Sequence, residues 1–223
     1  MSAFWMIRAR LRRDASVAAL APLLLPEDDS ARVMAAHRLV WSLMPADPDA
    51  RRDFLWREEA PGRFLVLASR PPDASVLFDV EAKPFEPTLA SGDRLRFMLR
   101  ANPTVSSSST DGRSARHDVV MHALRAVPQP ERAAARPALA QQEGAAWLDR
   151  VGQRNGFAVE PGLRADGYQT LQLPRAGRAI QLGTLEYEGV LQVTDPKAFV
   201  ARLVAGFGRA KAFGCGLMLV RRA

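Results

Sequence analysis

His37, followed directly by Arg38, is the side chain in this sequence best placed for proton transfer. An imidazole titrates at about 6.5 when unperturbed, so it can take or give a proton near neutral pH. A guanidinium beside it can stabilise negative charge growing on a phosphorus centre. The phosphodiester most open to such a pair, without a metal, is that of RNA, whose own 2′-hydroxyl is the nucleophile. The products would be a 2′,3′-cyclic phosphate and a free 5′-hydroxyl.

A second concentration of chemistry lies near the end, in Gly206-Phe207-Gly208-Arg209-Ala210-Lys211-Ala212-Phe213-Gly214-Cys215-Gly216. Glycines such as Gly208 and Gly214 let backbone amides approach an anion closely, and Arg209 and Lys211 add the charge that a phosphate-rich partner would need. No Gly-Lys-Ser/Thr follows a four-residue gap, so this is not a Walker loop. It leads into the apolar run Leu217-Met218-Leu219-Val220 rather than a helix, which excludes a dinucleotide fingerprint. The segment therefore reads as a loop that grips RNA phosphates. Phe207 and Phe213 either anchor it on the core or stack on a base.

Other chemistries find little support. His117 and His122 follow a serine-rich stretch and carry no assigned role. There is no Cys/His cluster, no H-E-x-x-H and no G-x-S-x-G, so neither a metal, a cofactor nor a serine nucleophile is expected. The paired carboxylates Glu58-Glu59 and Asp28-Asp29 sit in turn-like, solvated contexts. Cys215 is the only cysteine and reads as a small packing residue, which rules out an intrachain disulfide and suits a reducing compartment.

Over 223 residues the formal net charge is +7, and all the cations but Lys83, Lys197 and Lys211 are arginine. Guanidinium groups recognise phosphate bidentately and stack on bases, although arginine-heavy coding also follows from a GC-rich genome. The overall balance favours an anionic partner. No apolar run approaches the roughly 20 residues that span a bilayer, and residues 1–10 do not form a secretion signal. A cytoplasmic location without membrane contact is expected.

The elements that must position His37 can be read in order. Phe4–Arg12 alternates as a first strand. Leu23–Leu25, between Pro22 and Pro26, reads as an apolar loop. Asp28 and its neighbours offer N-caps for a helix over Ala31–Met44, stopped by Pro45, with Val33, Ala36, Val40, Leu43 and Met44 as its apolar stripe and His37 at the margin. Asp53–Arg57 and Arg63–Ser69 form a strand pair, a weak helix is placed near Asp73–Val76, and Val76–Val80 adds a strand before an irregular crossing at Lys83–Pro87. From Gly92 the pattern restarts. A strand through Leu95, Phe97 and Leu99 ends at Asn102-Pro103, and Ser106–Gly112 is a polar loop tip. Arg116–Met121 pairs back, and a helix covers Ala138–Asn155. Strands on either side of Pro174–Arg178 make a basic hairpin tip, and Thr184–Val193 is a long strand. A helix capped by Asp195 ends at Gly206. This α+β order gives two tandem ferredoxin-like domains, 1–91 with the catalytic helix and 92–223 with the basic hairpin and the glycine-rich loop.

In several ordered stretches the chain resembles CasE, the CRISPR-associated endoribonuclease family of type I-E systems. These are Ala36-His37-Arg38-Leu39-Val40-Trp41-Ser42-Leu43-Met44-Pro45, Arg52-Asp53-Phe54-Leu55-Trp56, Leu99-Arg100-Ala101-Asn102-Pro103-Thr104, Tyr187-Glu188-Gly189-Val190-Leu191 and the Gly206–Gly216 loop. The resemblance covers nearly the whole length. It implies two RRM-like domains, metal-independent cleavage at the 3′ base of the CRISPR repeat RNA hairpin, and retention of the product within Cascade beside its other subunits. It places the family histidine at His37, with Arg38 following, and the stem-tracking basic hairpin at Arg175 and Arg178. Where family members often carry a tyrosine, three residues before the histidine, this chain has Met34. That departure motivates a second reading, a non-cleaving RNA-binding scaffold subunit.

Overall fold

The structure, a computed structural model, describes residues 4–44, 52–108, 114–175 and 178–223. The chain separates into two compact units, Met1–Thr88 with Ala210–Leu217 and Leu89–Arg209 with Met218–Ala223. The sequence alone suggested a single cut between residues 91 and 92. In the structure the chain also passes from the second unit to the first within the glycine-rich loop, and back again at its end.

The first unit contains β1 (Phe4–Leu11), α1 (Ala15–Ala19), α2 (Ala21–Leu24), α3 (Asp29–Trp41), β2 (Phe54–Ala60), β3 (Arg63–Ala68) and β4 (Phe78–Phe85). Its sheet runs β2-β3-β1-β4 with every neighbour antiparallel, the strand order of a ferredoxin-like unit. One face buries Ile7, Ala9, Trp56, Phe64, Val66 and Phe78 against Ala36, Leu39 and Val40 of α3 and against Leu43 just beyond it. Trp56, Phe64 and Phe78 meet edge to face with centroids 5.9 Å apart in each successive pair. Each such pair adds about 0.5–1.5 kcal/mol beyond area burial. Asp28 starts α3 as expected, its carboxylate accepting from the Ala31 amide at 2.7 Å.

Several local expectations change. The apolar stretch before Pro26 is helical because Asp14 caps α1 by accepting from the Val17 amide at 3.0 Å and Pro22 fits the start of α2. Residues 73–76 form no helix: Pro71-Pro72 stop the preceding strand, and the Ser75 hydroxyl accepts from the Leu77 and Phe78 amides, committing the chain to a turn. Among its described residues this unit thus lacks the second helix, between β3 and β4, of a full ferredoxin-like repeat. Lys83-Pro84-Phe85 belongs to β4, where Pro84 faces Trp5; β4 is an edge strand, where a missing donor is tolerated. Pro45, expected to stop the helix, lies outside the described residues; α3 ends at Trp41, and Ser42 bonds the Leu39 carbonyl through its hydroxyl at 2.8 Å.

The second unit comprises β5 (Arg94–Ala101), β6 (Thr104–Ser108), β7 (Ser114–Asp118), α4 (Val119–Ala123), α5 (Arg132–Arg154), β8 (Phe157–Val159), β9 (Arg164–Arg175), β10 (Arg178–Val193), α6 (Pro196–Ala205) and β11 (Met218–Arg222). Its main sheet runs β11-β5-β10-β8, with β9 also pairing to β10, and repeats the ferredoxin-like order. The segment expected as a strand through Met121 turns at Asp118, which accepts from the Val120 and Met121 amides and so starts α4. Helix α5 begins before Ala138 and carries Pro137 in its N-terminal part. Of the expected polar loop tip, Ser106–Ser108 belong to β6 and residues 109–112 lie outside the described residues, as do 176 and 177 of the basic hairpin. No described helix is long and apolar enough to cross a membrane.

Candidate active site

Helix α3 presents His37 at the edge of its buried stripe because Ala36 and Val40, on either side, are held in the core. The imidazole is half-buried. Its Nδ1 lies 2.8 Å from the carbonyl oxygen of Ala212, 175 positions further along the chain. A carbonyl can only accept, so Nδ1 carries the proton and Nε2 presents its lone pair. Two rings flank the imidazole: Trp41 edge-on at 6.4 Å and Phe213 tilted at 6.1 Å. Trp41 is itself held edge-to-face on Phe54 at 5.0 Å. Orientation is thus imposed from three sides.

Electrostatics favour the neutral ring. Burial lowers the His37 pKa below its usual value; the Ala212 carbonyl opposes this, and the positive charges of Arg52 and Arg38 lower it further. A group neutral at pH 7 with a free Nε2 is suited to accept a proton. Arg38 is exposed. Arg52 is the residue that sequence reading passed over. It precedes β2, donates from a guanidinium nitrogen to the Phe54 carbonyl at 3.2 Å, and is partly desolvated, which lowers its pKa. Its neighbour Asp53 accepts from the Ser69 hydroxyl at 2.6 Å and from Arg70 at 2.7 and 3.0 Å, pinning the start of that strand. The only sequence signal for Arg52 was its place in a stretch shared with the resembled family.

A 3₁₀ turn at Lys211–Phe213, bounded by left-handed Ala210 (φ 55°) and Gly214 (φ 76°), turns a carbonyl toward His37. A Cβ on Gly214 would stand 3.2 Å from the buried Trp56 indole. Gly208 likewise has φ 66°, and a Cβ there would stand 2.8 Å from the Asn102 carbonyl oxygen. Both glycines answer to close packing. Asn102 is itself buried, with its side-chain amide on the Gly183 carbonyl at 2.6 Å and its own carbonyl on the Arg209 amide at 3.3 Å. Phe207 is fully buried against Phe157, which is the anchoring role, while Phe213 is half-buried and lies on His37.

His37, Arg38, Lys211 and Gly214 therefore share the first unit, while Arg175, Arg178, Gly208 and Arg209 belong to the second. Arg209 is exposed. Arg175 and Arg178 face each other in the β9–β10 ladder, on either side of the tip residues. Among the described residues no group of three or more His, Cys, Asp or Glu side chains is arranged to hold a metal ion. His117 and His122 stack on each other at 5.3 Å.

Comparison with known proteins bears on this geometry. The family model described as "CRISPR associated protein" matches residues 4–222. The CRISPR-associated endoribonuclease Cse3 of Thermus thermophilus is 34% identical over 82% of this chain and 80% of its own. The Cascade subunit CasE of Escherichia coli K12 is 30% identical over 82% of this chain and 88% of its own. A solved structure of Cse3 bound to a 19-nucleotide RNA superposes with a TM-score of 0.69 at 29% identity, covering 98% of this chain and 99% of that one. Two ferredoxin-like units in one order, and likeness over almost the full length, lead to one conclusion: this chain belongs to the CRISPR-associated protein family that contains the Cse3 endoribonuclease and the Cascade subunit CasE.

Proposed function

We propose that the chain is the endoribonuclease that processes precursor CRISPR RNA in a type I-E system and stays with its product as a Cascade subunit. The observation that carries this reading is the Ala212 carbonyl on His37 Nδ1, which leaves a neutral Nε2 as the proton acceptor. Nε2 takes the proton of the 2′-hydroxyl, the 2′-oxygen bonds to phosphorus, and the bond from phosphorus to the 5′-oxygen breaks. The 5′-oxygen leaves with a proton from the imidazolium or from water. Arg38 and Arg52 stabilise the charge on the non-bridging oxygens, so the step draws on no metal ion. Arg175, Arg178, Arg209 and Lys211 hold phosphates of the repeat hairpin.

Kinship supports the substrate assignment: one relative is named an endoribonuclease and is solved with RNA, the other a Cascade subunit. Incubating the purified protein with its own repeat hairpin in EDTA and mapping the product ends tests the reading. A 2′,3′-cyclic phosphate and a 5′-hydroxyl are expected. Tight binding without cleavage would instead favour the scaffold reading, which Met34 motivates, since a thioether one turn before His37 can neither donate nor relay a proton.

A further inference from the structure

The second unit contains a cavity of about 600 Å³ that the reaction at His37 does not use. It is lined by Thr104, Val105 and Ser106 of β6, by Trp147, Arg150, Val151 and Arg154 of α5 with the adjoining Asn155, and by Arg202 of α6. Three guanidinium groups and two hydroxyls line it, and no described carboxylate does. Elsewhere in this unit some exposed arginines are matched to acids, as in Arg94 with Glu160 and Arg164 with Asp166. Such pairing is what an ordinary solvated surface shows. Here it is absent among the described residues.

We propose that this cavity is a phosphodiester subsite, gripping the backbone of bound RNA away from the bond that is cut. Arg150 and Arg154 are four residues apart on α5, where like charges share a helix face and repel. Favourable interaction with the helix C-terminus is confined to the last turn, which holds Arg154 but not Arg150. Arg202 approaches from the other helix. Its guanidinium carbon lies 5.5 Å from the Phe207 ring centroid, which orients the planar group. A phosphate in the cavity would offset the repulsion along α5 and accept from the Thr104 and Ser106 hydroxyls. Sequence reading missed this because the cations come from two helices and the hydroxyls from a strand far away in the chain.

The inference rests on the reading that RNA is the substrate, and the test separates the two. Binding of the repeat hairpin is measured in a His37→Ala background against salt concentration, with and without Arg150→Ala/Arg154→Ala, and thermal unfolding is followed as a folding control. The double variant is expected to weaken binding roughly ten-fold or more, and to flatten the plot of log affinity against log salt by about 1.5 for two lost phosphate contacts. In the wild-type background the loss falls on the protein concentration needed for half-maximal single-turnover cleavage. If the His37→Ala parent binds RNA and the wild-type protein cuts it, but the folded double variant keeps the parent's affinity and slope, the subsite is wrong and the proposed function stands. If the parent does not bind and the wild-type protein does not cut, the RNA reading itself fails. Inorganic phosphate is titrated in parallel. Phosphate that stabilises the parent but not the double variant, with the RNA slope unchanged, would overturn the assignment to RNA in favour of a free phosphate compound.

Discussion

His37 Nδ1 and the Ala212 carbonyl oxygen stand 2.8 Å apart, joining the helix near the start of the chain to the glycine-rich loop near its end. That contact fixes the tautomer, and with it which ring nitrogen can meet a substrate. In the proposed reaction it would also give the loop a part through a carbonyl.

The pH dependence of cleavage follows from the lowered His37 pKa. The neutral ring is the active form, so single-turnover rate should be level around neutral pH and fall only as the pH drops through a midpoint below 6.5. A rate profile over the acid range measures it; a midpoint above 6.5 would remove His37 as the base described here.

Arg52 should move that midpoint. Its charge disfavours the imidazolium, so Arg52→Gln lets His37 hold its proton to higher pH, and the acid limb shifts upward. The limiting rate should fall as well, because a cation near the phosphorane is lost. An unshifted limb with a reduced rate would confine Arg52 to binding.

The turn that carries Ala212 is held by glycine. Gly214→Ala puts a side chain on a left-handed residue and against the Trp56 ring, costing roughly 1–3 kcal/mol. Displacing the turn frees the tautomer, so cleavage should fall more than binding does. Unfolding curves and single-turnover rates together separate the two effects.

The start of β2 offers a stability test. Burial raises the pKa of Asp53, but the hydrogen bonds from Arg70 and Ser69 and the charge of Arg70 outweigh it, leaving the carboxyl below its ordinary range. Its contribution is therefore present above the unfolded value and lost as the pH falls through the lowered one. Asp53→Asn should cost roughly 1 kcal/mol at neutral pH, with the gap to wild type closing in acid, as denaturant titrations at both pH values would show.

Much of this architecture was legible. Asp28 and Asp195 marked two helix starts, alternation from Leu95 to Leu99 marked a central strand, and His37 stood at the margin of an apolar stripe. Local chemistry decided those positions. What sequence reading lost depends on partners far away. Residues 73–76 have the composition of a weak helix, yet Ser75 and the prolines before it commit them to a turn. The glycines near the end suggested an anion cradle. Gly208 and Gly214 also meet the Asn102 carbonyl and the Trp56 ring closely, neighbours that no local pattern reveals. Arg52 gained meaning only when folding brought its charge to bear on His37.

The central claim is that His37 is the proton acceptor for cleavage. Single-turnover cutting of the repeat hairpin in EDTA, by wild type and by His37→Ala at saturating protein, tests it most directly. The variant should still bind the hairpin while its rate falls by about 10²–10⁴-fold, the usual contribution of a general base. Cleavage by the folded variant at the wild-type rate would contradict the assignment.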